Sequence, residues 1–430
     1  MDTAHQPNEA NALRKAHKYQ QAIPLYQTLW DGDKKDPWDG WGYAFCLRKT
    51  GKLSEALDVC REVYRLSPTL DVNRSLYAWC VYDLEIKTDE VHNPGRFLKA
   101  ANGITQLTEQ KDKYAPYTYT VFKVCKHLLQ RNHAEDALEW LDRFDVNHLS
   151  DEVSTFKVDG GKERQMPSDL QTYYNLRSKA LYKDERYAQC RACVREALEA
   201  VPDFVNDGDF WLRRLDALSQ AAEGDVAPAY EVLETLLHRK HDWFLQNDLA
   251  LLAHQLGRKK EAWAHLIQAM LDRAPLELRV NVFDLASAWL EEEGRPEDAR
   301  PHLELVLAIR QAQGWPVKAD LQERADALGC EASVQDPEQL NRGLRKTWQQ
   351  WRDKMEPRQR GVIEKLLGSG ESGFLRAEDG SSYFFRTKSL RGLEAEEGRK
   401  VTFRSEPGFD KKKGVATMNA VDIRPDQAHA

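Results

Sequence analysis

Gly224, Gly257 and Gly294 recur at intervals of 33 and 37 residues, and each is followed five residues later by an alanine, Ala229, Ala262 and Ala299. Gly51 and Ala56 make the same pair earlier in the chain. Repetition at this period restricts the fold to stacked supersecondary units, because one such unit cannot bury its apolar face alone. Around each pair the apolar residues fall at helical spacing. In LALLAHQLGRKKEAWAHLIQAML one amphipathic helix ends near Gly257 and a second begins by Lys259. The unit is therefore a helical hairpin: glycine ends the first helix in a tight turn, and a small side chain lets the two helices cross closely.

These features resemble the tetratricopeptide repeat, a family with a 34-residue helix-turn-helix unit and often a closing proline. Gly51, Leu53, Ala56 and Pro68 fit one copy with Ala44 in its first helix, and Tyr187, Ala197 and Pro202 fit another. Less regular copies begin near Asn8, Asp71, Thr118, Phe210 and Val280, which gives roughly seven or eight hairpins between Asn8 and Gln311. Segments 83–117 and 145–170 break the period, and the second, with Asp159-Gly160-Gly161-Lys162, reads as an extended loop. Stacked hairpins curl and present a concave face to an extended peptide or a protein surface. Projecting the register puts Trp38, Trp41, Arg48, Trp79, Tyr82, Tyr119, Lys126, Lys179 and Lys183 near that face. Such a surface suits an acidic or aromatic-containing peptide, or nucleic acid, although an aromatic on a repeat helix is more often packed between hairpins than left for a ligand.

Charge divides the chain unevenly. From Leu340 to Ala430 there are 19 Lys and Arg against 13 Asp and Glu, so this segment carries +6 and leaves −13 on the rest of a chain whose total is −7. Any polyanion contact is expected at the C-terminal end. Asp336 to Met355 reads as one helix with Leu340, Leu344, Trp348 and Trp351 on one face, a cap for the last hairpin. Its opposite face carries Arg342, Arg345, Lys346, Arg352 and Lys354 and offers a basic surface. From Arg360 the texture becomes short apolar stretches between Gly, Ser and Asp: GVIEKLL, SGFLRA, SYFFRT, RKVTFR and GVATMNAVDI. Five short strands in this span predict a small β-barrel.

RGVIEKLL, SGFLRAEDGSSYFFR, EEGRKVTF and KKGVATMNAV resemble the cold-shock domain, a five-stranded OB-fold barrel that binds single-stranded RNA or DNA. The resemblance implies that Phe374 and Phe384 stack on bases and that Arg386 takes the place of a stacking histidine. It also places Lys365 where the family has tryptophan, Ser372 where it has phenylalanine and Thr387 where it has another aromatic. Lys365, Lys388, Lys411, Lys412 and Lys413 would then supply phosphate contacts, with Arg376 beside Phe374 on the same surface, and binding would be salt-sensitive and sequence-tolerant. Period-two geometry agrees: Phe384 and Arg386 share one strand face, Tyr383 and Phe385 the other, and Phe374 lies with Arg376.

The expected organisation is a mostly α protein, with a helical-repeat domain at 1–330, a connector helix at 331–358 and a cold-shock-like barrel at 359–430. Its expected role is a non-enzymatic adaptor joining a protein partner to a single strand, RNA ahead of DNA because a cytoplasmic single strand is most often RNA. The alternative is an interaction scaffold whose barrel no longer binds nucleic acid. No nucleophile elbow, phosphate loop, paired-carboxylate motif, metal constellation or cofactor motif stands out in the sequence. Cys190-x-x-Cys193 has no second pair and sits at packing positions, and His238, His241 and Asp242 read as a solvated hairpin edge. Seven scattered cysteines and the start MDTAHQPNEA, which lacks the order of a secretory signal, point to reduced thiols and the cytoplasm, and no run is apolar enough to span a bilayer.

Overall fold

The structure is a computed structural model that describes residues 9–426 except 33, 89, 159, 160, 162, 331–335, 356, 357, 369 and 411–414. The chain forms two compact units, Met1–Ser219 and Gln220–Ala430. Eight helical hairpins precede the barrel: Glu9–Lys15 with Tyr19–Trp30, Pro37–Lys49 with Leu53–Leu66, Asp71–Val81 with Pro94–Leu107, Tyr117–Gln130 with Ala134–Leu141, Asp169–Lys183 with Tyr187–Ala200, Gly208–Ala222 with Val226–Leu237, Trp243–Gln255 with Lys259–Leu271, and Val280–Glu292 with Pro296–Ala312. No helix among the described residues is long and apolar enough to cross a membrane.

One turn recurs in seven of the eight. Its central residue is left-handed: His17, Gly51, Asn132, Glu185, Gly224, Gly257 and Gly294, with φ between 59 and 102°. The next residue's N–H reaches back to the carbonyl five positions earlier, as Lys52 to Leu47, His133 to Leu128, Arg186 to Leu181 and Arg258 to Ala253. This is the Schellman closure, which satisfies the carbonyls left over at a helix end. Glycine marks only four of these turns, so a search on glycine sees half the array. The crossing is equally regular: Ala10 and Ala22, Ala44 and Ala56, Cys125 and Ala137, Ser178 and Cys190, Ala250 and Ala262, and Ser287 and Ala299 are all buried. Cys125 Sγ donates to the Ala137 carbonyl at 3.5 Å and Ser287 Oγ to that of Ala299 at 3.2 Å, so the two positions of a pair touch.

The third hairpin departs because its first helix continues into a π turn, Tyr82–Ile86, before a longer connection to Pro94. Where an extended loop was expected at 145–170, the chain instead makes an antiparallel ribbon of β1 (Ser154–Lys157) and β2 (Glu163–Met166), exposed along its length. Asp159, Gly160 and Lys162 lie outside the described residues. Beyond Gly314, where the repeat reads as ending, a further helix, Ala319–Ala327, buries Leu321 and Ala325, and its Arg324 pairs with Asp284 at 2.6 Å and Glu291 at 2.7 Å.

The connector helix, Pro337–Met355, packs Leu344 and Trp348 against the helices Lys259–Leu271 and Pro296–Ala312. Trp348 is fully buried, stacks on Phe283 with centroids 5.6 Å apart and planes at 9°, and donates its indole N–H to His302 Nε2 at 2.8 Å. Its far side is not an unbroken basic surface. Arg345 donates to the carbonyls of Leu271 and Asp272 at 2.7 and 3.0 Å, closing the end of a neighbouring helix. Arg352 turns to Asp422 of the barrel at 3.8 Å.

The barrel consists of β3 (Gln359–Leu366), β4 (Ser372–Ala377), β5 (Ser382–Arg386), β6 (Lys400–Asp410) and β7 (Val415–Pro425). It closes in the order β3-β4-β5-β7-β6, all neighbours antiparallel except the β5–β7 contact. That connectivity is the five-stranded Greek-key barrel of the OB type. Ile363, Leu375, Phe385, Val401, Phe403 and Ile423 fill it.

Candidate nucleic-acid and protein interfaces

The barrel face built by β3, β4 and β5 carries the residues singled out for nucleic acid. Phe374 is opposite Phe384 across β4 and β5, with ring centroids 5.8 Å apart in an edge-to-face pair. Phe374 is 36% exposed and Phe384 half-buried, while Phe385, its neighbour along the strand, is buried in the barrel. Period two thus divides aromatics between core and surface as their order requires. Gly373 permits this: a Cβ there would stand 2.4 Å from the Lys365 carbonyl oxygen and 2.9 Å from the Phe385 ring.

Lys365 reaches the face through a bulge. Ile363 pairs with inward Leu375, yet Lys365, two residues on, pairs with outward Phe374, because β3 has one extra residue between them. Without that bulge Lys365 would follow Ile363 into the barrel. Lys365, Phe374, Phe384 and Asn419 therefore form one row across four strands. The extra residue, Glu364, accepts from Arg376 at 2.8 Å, so a carboxylate shares this face with the cations. Arg386 lies beside Ser372 in the register and is exposed, as is Lys388 on the short turn Thr387–Ser389. Lys411, Lys412 and Lys413 lie outside the described residues.

In the N-terminal unit, the first helices of successive hairpins are neighbours, and the second set of candidates lies along them. Trp38 is 54% exposed and meets Trp41 edge-to-face at 6.0 Å. Arg48 donates to Asp83 at 2.7 Å and lies over Trp79 at 5.0 Å. Trp79 contacts Tyr82 at 5.4 Å and Tyr119 at 6.0 Å, and its N–H is taken by the Tyr114 carbonyl at 2.6 Å. Tyr119 is 57% exposed, and Lys126 and Lys179 are exposed. Lys183 is held in a structural role, because its ammonium donates to the Leu129 carbonyl at 2.9 Å and to Asn132 Oδ1 at 2.7 Å, clasping the turn of the preceding hairpin. Two further members escaped the sequence. Arg14 lies over Trp41 at 4.5 Å, and Tyr114 stands exposed in a connection, where no helical period points to it.

The cysteines of the repeat are packing groups. Burial pushes the Cys125 thiol up to about 12 and that of Cys190 to about 11, so neither supplies a thiolate near neutrality. Among the described residues no group of three or more His, Cys, Asp or Glu could hold a metal ion.

No protein-family profile and no curated protein matches the chain. Solved structures similar to it include the human IFIT1 dimer with PPP-AAAA, at 12% identity over 78% of this chain and 72% of that one, with a TM-score of 0.39. A tetratricopeptide repeat protein from Parabacteroides merdae is 13% identical over 71% of this chain and 99% of its own, with a TM-score of 0.41. The C-terminal part of a TPR repeat-containing protein from Cytophaga hutchinsonii is 12% identical over 73% and 97%, with a TM-score of 0.33. The repeated turn, the paired small residues and the strand order together make this chain a tetratricopeptide-like helical-hairpin array followed by an OB-type barrel.

Proposed function

We propose that the protein is a non-enzymatic adaptor. Its barrel binds single-stranded nucleic acid, RNA ahead of DNA, and the first-helix face of its N-terminal unit takes a protein partner. The observation that carries the first half is the outward row of exposed Lys365, exposed Phe374 and half-buried Phe384 on β3, β4 and β5, with Arg386 and Lys388 beside it. Two aromatic rings that accept bases, flanked by cations that accept phosphates, are the two components a single strand requires.

The test is fluorescence anisotropy of labelled oligo-RNA and oligo-DNA with the full chain. At about 1–3 kcal/mol per stacked base, Phe374→Ala with Phe384→Ala should weaken binding by roughly 30-fold or more. The melting temperature should hold, because both rings lie outside the core that Phe385 and Phe403 occupy. Unchanged affinity of the double variant refutes the assignment of these residues. Tighter binding of DNA refutes the RNA preference, and absence of binding to either strand leaves the interaction scaffold as the function.

A further inference from the structure

An open cavity of about 110 Å³ lies near the turns of the seventh and eighth hairpins and shares no residue with the two interfaces described above. Trp263 and Trp289 wall it, with ring centroids 5.6 Å apart and planes at 78°, and the His254 ring stands 4.4 Å from that of Trp289. Ala262, small because two helices cross there, leaves the room between them. The Trp263 indole N–H donates to Glu293 Oε1 at 2.7 Å, so this residue offers the cavity its ring rather than a polar hydrogen. Glu292 and Glu293 bring two carboxylates to the lining and Lys259 one ammonium, a net charge of −1. Glu293 also meets Arg295 at 3.5 Å, whereas Glu292 is exposed and has no ion-pair partner among the described residues. The next ring of the same cluster shows what such faces attract: Trp351 meets Trp263 edge-to-face at 6.0 Å, and the Arg295 guanidinium lies over it at 5.0 Å. Among the described residues no cationic side chain lies over Trp263 or Trp289.

We propose that this cavity is a binding site for a methylated ammonium headgroup, with a quaternary ammonium as its tightest ligand. Indole rings attract a cation through their negative faces, and the two carboxylates add a Coulombic pull. Methyl groups matter because they thin the cation's hydration: a bare ammonium holds its water strongly and loses more on entering an aromatic-walled pocket. Size agrees with this class of ligand. At roughly 10–15 Å³ per water the cavity has room for several waters, enough for a headgroup, but it falls short of the roughly 300 Å³ that a drug-sized ligand or a nucleoside requires. Charge excludes phosphates and carboxylates, which Glu292 and Glu293 would repel.

Titration of the full chain against choline tests this, with broadening of the trimethylammonium proton signal as the readout. Binding should saturate with a Kd of about 1 mM or lower. The uncharged tert-butyl isostere of choline should bind at least about tenfold more weakly, and so should ethanolamine, which keeps the charge without the methyl groups. Nα-acetyl-trimethyllysine is titrated in parallel, and the tighter of the two methylated ligands tells whether the headgroup arrives free or on a side chain. Glu292→Gln with Glu293→Gln keeps an acceptor for the Trp263 indole, so the circular-dichroism melt should hold while choline binding weakens about tenfold. Lys259→Ala, at an exposed position, should tighten it by about 3-fold, because a like charge leaves the lining. Equal binding of the tert-butyl isostere makes the cavity merely apolar, equal binding of ethanolamine makes it merely acidic, and either result overturns the proposal. So does the absence of saturable choline binding. If choline binds only the Lys259→Ala variant, the protein's own lysine fills the site and the proposal fails.

Discussion

Replacing Trp348 by phenylalanine tests the join between the connector helix and the last hairpins, with an effect whose dependence on pH is fixed in advance. His302 is almost wholly buried, and its Nδ1 lies 2.7 Å from the Asp298 carbonyl. A carbonyl only accepts, so Nδ1 carries the proton and Nε2 is the acceptor that Trp348 uses. Burial pushes this imidazole down to about 4, with Arg295 adding to the effect and the Asp298 hydrogen bond opposing it. Phenylalanine retains much of the stacking on Phe283 but removes the donor, stranding a buried acceptor at a cost of about 1–3 kcal/mol at neutral pH. The sign of the pH effect follows from linkage. In the unfolded chain histidine protonates near its ordinary value of about 6.5, before the folded one does, so acid favours unfolding between roughly 6.5 and 4, by about 3 kcal/mol in all. In the variant, protonating Nε2 no longer opposes an indole N–H, so the folded imidazole titrates higher and less stability is lost across this window. The difference between wild type and Trp348→Phe should therefore be greatest at pH 7 and shrink toward pH 4.5. His265, which burial also holds near 4, changes both proteins alike and drops out of the difference. Urea unfolding followed by circular dichroism at the two pH values measures it. Equal stabilities at pH 7, or a difference that grows in acid, would refute the reasoning.

Gly257→Ala should cost about 1–2 kcal/mol in thermal unfolding, since its φ of 71° lies in the left-handed region although nothing crowds the missing side chain. Asp422→Asn should destabilise the barrel's attachment by about 3 kcal/mol. Burial opposes ionisation of that carboxyl, but Arg358 and Arg424 hold it low, and Arg358 donates to it at 2.6 Å. Limited proteolysis between connector helix and barrel should then accelerate. Glu364→Gln should tighten RNA binding by roughly 3-fold, the scale of one exposed ion pair, by removing a carboxylate and freeing Arg376. Three phosphate contacts at Lys365, Arg386 and Lys388 predict a slope of about −2 in log affinity against log salt, and Lys388→Ala should flatten it by roughly 0.7.

Much of the architecture is local, and local physics is legible in a sequence. The hairpins follow from helical periodicity together with a small residue at each crossing, and the barrel from short alternating strands between turn residues. Phe374 and Phe384 could be placed on a surface because strand alternation is a property of the backbone alone. Turns centred on His17, Asn132 and Glu185 were harder to see, because a left-handed residue that is not glycine has no compositional mark; the energy of the surrounding helix packing holds it there. The ribbon at 154–166 was hidden for the opposite reason: strands exposed on both faces have no alternation to detect.

The sequence by itself determined which residues could be functional, since it sets chemical type and the face each occupies along its own element. Which of them are free to act was decided in three dimensions. Lys183 and Arg345, cations in the sequence like Lys126 and Lys346, are occupied by the carbonyls at ends of neighbouring helices. Lys365 stands beside Phe374 only because one extra residue in β3 shifts the register, and on the same face Arg376 is already engaged by Glu364. A helix end takes its donors and a strand its register from whatever the fold brings near: Lys183 and Arg345 lie 54 and 74 residues from the carbonyls they meet, and a bulge is decided by how two strands pair, so no local pattern shows either.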